Sequence, residues 1–119
     1  MQALVADNDF VVRQLLGRYL KRLGCAVAEC ADGEALLEAS RRLKPDLVVS
    51  EANMPGKLNG LDACRLIRHE RKDAAIVLIT GSSGGIAEIP KGEFDLVLNK
   101  PFSLDDLRKA VARRIKRAG

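Results

Sequence analysis

The sequence carries no tryptophan, one tyrosine and three phenylalanines, and so few rings leave no surface on which successive nucleic-acid bases would stack. It also lacks any apolar run near the roughly 20 residues that cross a bilayer. "MQALVADNDF" at its start has no basic stretch ahead of a long apolar one, so a signal peptide is not expected and a cytoplasmic location is. Three cysteines, Cys25, Cys30 and Cys64, contain no CxxC; an odd count without ligand spacing argues against bridges and a zinc site and predicts small buried thiols. Internal repeats and low-complexity tracts are missing too. What is present is an ordinary globular balance, 47% hydrophobic and 30% charged among 119 residues, which suits one compact domain over 1–119.

Short runs rich in Val, Ile and Leu alternate with segments of helical periodicity, the pattern of a parallel sheet covered on both faces. Strands are predicted over 3–6, 26–31, 47–51, 74–80 and 95–99. After the first, Val12, Leu15, Leu16, Tyr19, Leu20 and Leu23 recur at spacings of three and four, one apolar stripe that Gly24 stops. The second helix covers 32–44, with Asp32 as cap and Pro45 as terminator. The third covers 60–72, with Leu61, Cys64 and Ile67 inward. The last covers 103–117: Ser103 and Asp106 have capping-box spacing, and Leu104, Leu107, Val111 and Ile115 form its stripe. Between strands four and five lies "GSSGGIAEIPKGEF", with four glycines and Pro90. Each interior Gly costs about 1 kcal/mol and a Pro about 3, so a fourth helix there is expected to be short, irregular or mobile.

In an open parallel sheet, ligand sites gather beyond the carboxyl ends of the strands. Those ends carry Asp7, Asn8 and Asp9; Glu51; Thr80; then Asn99 and Lys100. Singly each has a bland explanation, since acids suit a helix start, Thr commonly ends a strand and a Lys before Pro is ordinary surface. Together they suit an anionic oxygen cluster: carboxylates and carbonyls bind hard divalent cations, while a hydroxyl and an ammonium neutralise a phosphoryl group.

"LVADND", "PDLVVSEANMPG", "VLIT" and "LNKPF", in this order and at these separations, resemble the receiver domain of two-component response regulators over the whole chain. The resemblance implies an α/β fold, a doubly wound flavodoxin-like (βα)5 sheet with strand order 2-1-3-4-5. It also implies a phosphoaspartyl switch fed by a histidine kinase, with Mg²⁺ held by acids and by a backbone carbonyl two positions beyond the phosphoacceptor. Carried over, Asp7 matches the first acid, Glu51 the phosphoacceptor position, Asn53 the carbonyl donor, Thr80 the switch hydroxyl and Lys100 the lysine. Several positions depart from the pattern. Glu51 replaces the expected aspartate, Asn8 the second acid and Val97 the aromatic residue that swings with the hydroxyl, while "PGKLNG" is one residue longer than the commonest turn.

The extra methylene of Glu51 displaces its carboxylate, and a misplacement of about 1 Å costs on the order of 10²-fold in rate. No catalytic role is therefore expected, and a metal set of Asp7, Glu51 and Asn53 is expected to be weak, because Asn8 removes a charge. The longer side chain reaches toward Lys100 and Thr80, where a pair 4 Å apart gains about 4 kcal/mol at a dielectric of 20 before desolvation. Three readings follow: an inert scaffold with Glu51 locked to Lys100, which is favoured; a constitutive mimic of the active state; and a residual phosphoacceptor or metal-dependent function. The mimic is weakened because a carboxylate has one charge against nearly two for a phosphoryl group. The favoured function is an atypical, phosphorylation-independent receiver that binds a protein, such as a histidine kinase or a downstream signalling protein. Its output face would be the basic last helix with Arg108, Arg113, Arg114 and Lys116, together with the irregular segment before the fifth strand. Alternatives are a working phosphotransfer switch and nucleic-acid binding through that helix.

Overall fold

Five strands, β1 (Gln2–Ala6), β2 (Ala26–Cys30), β3 (Leu47–Glu51), β4 (Ala75–Thr80) and β5 (Leu96–Asn99), form one sheet in the order β2-β1-β3-β4-β5. Every neighbouring pair is parallel. Helices α1 (Phe10–Arg22), α2 (Gly33–Leu43), α3 (Gly60–Glu70) and α4 (Leu104–Ala118) connect or follow them. The computed structural model describes residues 1–81, 89, 90 and 92–118, with side chains of α4 as far as residue 113. The expected fourth helix falls mainly on 82–88 and 91, outside the described residues, so α4 here is the last helix of the sequence reading.

Successive strand side chains point to opposite faces, and each face has its own core. Leu4, Ala6, Val48, Ile76 and Leu78 meet Leu36 and Ala39 of α2 and Leu61, Cys64 and Ile67 of α3. Ala3, Val5, Leu47, Val49, Val77, Ile79 and Leu98 meet Leu16 and Leu20 of α1 and Leu107 and Val111 of α4. β3 and β4 are buried at every position, which is why β4 reads as an apolar run up to Thr80 and β3 turns polar only at Ser50 and Glu51. All three cysteines are free and buried. Among the described residues no helix is long and apolar enough to cross a membrane.

Helix ends follow local chemistry. Asp9 caps α1 by accepting from the Val11 and Val12 amides, Asp32 caps α2 through Ala35, and Asn59 caps α3 through Asp62. Gly24, at φ +95°, closes α1: its N–H donates to Lys21 and that of Cys25 to Leu20, the paired bonds of a Schellman motif. Three details differ from the sequence reading. Lys44, left-handed at φ 51°, ends α2 before Pro45 is reached. Ser103 Oγ accepts from the Asp105 amide at 3.0 Å, one residue short of a capping box. Leu15 is 55% exposed, because Leu16 and Leu20 occupy the i, i+4 row that faces the sheet and position 15 lies one step round the helix. The Ile115 side chain lies outside the described residues.

Candidate functional site

Parallel pairing brings every strand's carboxyl end to one edge of the sheet. In register, Ala6 lies beside Ser50, Glu51 beside Ile79 and Thr80 beside Asn99, so the residues just beyond these positions gather at that edge. The Lys100 amide donates to the Thr80 carbonyl at 2.8 Å, which extends the β4–β5 ladder by one bond and sets where the Lys100 side chain starts.

Asp7 is 1% and Glu51 5% exposed. Lys100 Nζ stands 2.7 Å from Glu51 Oε2 and 3.6 Å from Asp7 Oδ2. Asp7 Oδ1 accepts from the Asp9 amide at 2.8 Å, and the Asp7 carbonyl accepts from Arg13 Nη1 at 2.7 Å. Glu51 Oε1 has only a long contact, 3.5 Å, with the Asn53 amide. Burial pulls the Lys100 ammonium down, but its hydrogen bond to Glu51 and the charges of Asp7 and Glu51 outweigh this and hold its pKa above the ordinary lysine value.

The remaining candidates divide. Thr80 is buried at the expected place, yet its hydroxyl donates to Asn99 Oδ1 at 2.7 Å, so Glu51 does not hold it as the sequence reading anticipated. Asn8 and Asn53 are exposed. Val97, on β5, is 38% exposed. On α4, Arg108 is ion-paired with Asp105 at 2.7 Å and Arg113 is exposed; the Arg114 and Lys116 side chains lie outside the described residues.

Two participants were missed in the sequence. Asn99 was seen only as a strand end, although parallel pairing of two strands that end together places it beside Thr80. Arg13, which pins the acidic loop, sits four residues after the cap Asp9 and bonds back to the Asp7 carbonyl; helical spacing alone gives no signal for that.

A divalent cation does not fit this donor set as it stands. The carboxylate oxygens that would have to ligate it already face an ammonium. Among the described residues no group of three or more His, Cys, Asp or Glu is placed to hold a metal ion, and a site of this kind relies on carboxylate charge.

The family model described as Response regulator receiver domain matches residues 3–112. The response regulator MprA of Mycobacterium leprae (strain TN) is 36% identical over 122 residues, covering 98% of this chain and 53% of MprA. The DNA-binding response regulator MtrA of Mycolicibacterium smegmatis is 33% identical over 117 residues, covering 96% of this chain and 50% of MtrA. The chain thus spans about half the length of the curated relatives it matches. Among solved structures, the response regulator protein TrrA from Thermotoga maritima, in complex with Mg²⁺-BeF, superposes with a TM-score of 0.82 at 30% identity, covering 95% of this chain and 97% of TrrA.

Proposed function

Since this chain belongs to the response regulator receiver domain family of two-component signalling, we propose that Glu51 occupies the phosphoacceptor position and that the domain works without phosphorylation, by binding another protein. The observation that carries this reading is the 2.7 Å pair between Glu51 Oε2 and Lys100 Nζ. A nucleophile must sit in line with its phosphodonor, and a carboxylate displaced by one methylene and committed to an ammonium does not. The neutral, exposed Asn8 supports the same reading, because it gives no charge for the Mg²⁺ that such chemistry uses. Val97 supports it as well: at the position expected to hold a swinging aromatic ring, a small branched side chain leaves no lever to couple the pocket to the surface. The partner is a protein such as a histidine kinase or a downstream signalling protein, met by the basic face of α4 around Arg108 and Arg113.

A second reading, a working phosphotransfer switch, is favoured by the likeness to TrrA, which was solved with Mg²⁺-BeF. DNA binding belongs to relatives about twice as long, such as MtrA, and the few aromatic residues here give it no support.

One experiment separates the two readings. The protein is incubated with acetyl phosphate and Mg²⁺, and its intact mass and its affinity for its protein partner are measured before and after. Neither quantity is expected to change, whereas a variant carrying both Asn8→Asp and Glu51→Asp gains a phosphoryl adduct. An adduct on the unaltered chain overturns the proposal.

A further inference from the structure

The charges in the pocket do not balance. Two buried carboxylates share one ammonium, and beyond that ammonium neither Asp7 Oδ2 nor Glu51 Oε2 accepts a hydrogen bond among the described residues. Burying acceptors without donors is costly. Among the described residues Lys100 is the one cation within 4 Å of both carboxylates, Arg13 reaching Asp7 only at its carbonyl, so it carries most of the electrostatic burden of the site. Both oxygens converge on Nζ, at 2.7 and 3.6 Å, and Lys100 is 34% exposed at its side chain, so this point opens toward solvent.

We propose that the Lys100 ammonium is the resident counter-ion of this domain, taking up the two carboxylates, Asp7 and Glu51, that would hold a divalent cation. The native chain is then indifferent to divalent metal, and its metal site is latent, uncovered only when the ammonium is removed. The physical reasons are two. Lys100 is tethered, so its local concentration exceeds that of a free ion and its binding costs no association entropy. A divalent ion entering beside it would place three positive charges against two negative ones, since Asn8 contributes none, and Mg²⁺ gives up its water reluctantly. This inference rests on the reading of Glu51 and Lys100 as a fixed pair, but not on whether the domain accepts phosphate.

The test compares the unaltered protein with Lys100→Met, which keeps an unbranched apolar stem and removes the charge. Thermal unfolding is followed in EDTA and in saturating Mn²⁺ or Mg²⁺, and bound Mn²⁺ is counted directly by electron paramagnetic resonance. The unaltered chain is expected to bind no Mn²⁺ and to keep its Tm. Lys100→Met is expected to melt lower in EDTA and to regain roughly 5 °C in excess Mn²⁺, the size of shift that ligand binding to the folded state alone produces in a domain this small. Adding Glu51→Gln to that variant abolishes the gain. Should Lys100→Met be unfolded in EDTA, the readout becomes recovery of its helical circular dichroism on adding Mn²⁺. A Tm rise in the unaltered protein equal to that of the variant, or a variant that binds no Mn²⁺, overturns the proposal. A phosphoryl adduct without a metal response would sink the proposed function and leave this inference standing; a metal response without an adduct would do the reverse.

Discussion

Lys100 and the cysteines show how one side chain's surroundings set its chemistry. Burial opposes the Lys100 charge while Glu51 and Asp7 favour it, and the charge wins. The stability this pair adds is therefore fully present at neutral pH and is lost only as the pH rises through a value above the ordinary 10.5. The thiols are perturbed by burial first of all: Cys64 is pushed up to about 12 and Cys30 to about 11. Because an unfolded thiol ionises near 9.0 while the folded one stays protonated, the unfolded state binds fewer protons above that point and stability must fall as pH rises from about 9 toward 12. Denaturant titrations at pH 8 and pH 10.5 are expected to show this fall, and Cys64→Ala is expected to reduce its slope. At pH 8 the native thiols should react with Ellman's reagent only as fast as the fold opens. That these cysteines are inert packing residues was legible from their spacing; how strongly each is perturbed depends on neighbours such as Ser50 and Asp32, which only the folded chain brings near.

At the scale of elements, the junction of β3 with α3 is where backbones approach most closely around Glu51. A Cβ on Gly60 would collide with the Glu51 carbonyl oxygen, and one on Gly33 with that of Leu58. The first turn of α3 thus packs directly against the end of β3, and the start of α2 against the intervening turn. The turn carries the extra residue noted in "PGKLNG", and Glu34 of α2 holds it by accepting the Leu58 amide at Oε1. Gly60→Ala is expected to cost about 3 kcal/mol or more, since backbone rather than a flexible side chain would have to yield; urea denaturation measures it. Gly24→Ala, strained by its positive φ of +95° but with open space around it, should cost only about 1 kcal/mol. In the sequence these glycines look alike. Their difference arises from the close approach of segments far apart along the chain.

For the whole molecule, the sheet divides the interior into two cores, one under α2 and α3 and one under α1 and α4. Ile67 and Val111 are both essentially inaccessible and lie on opposite faces. Ile67→Val should cost about 1 kcal/mol and Val111→Ala about 2. Lying in separate clusters, the two should add in the double variant to within about 0.5 kcal/mol by denaturant unfolding; a larger coupling would mean that the faces communicate through the strands. The alternation of short apolar runs with helical stripes was enough to place the strands, to order the elements and to bring Asp7, Glu51, Thr80 and Lys100 to one edge, because periodicity and strand polarity are local properties of the chain. The length of the Glu51 side chain already pointed to Lys100 in the sequence, but the rest of the pairing within that edge was not local. Register and side-chain reach brought Asp7 to Lys100 as a second partner, turned Thr80 toward Asn99 and left Leu15 facing outward. Those choices compare distances between segments that meet only after folding, so tertiary structure alone decided them.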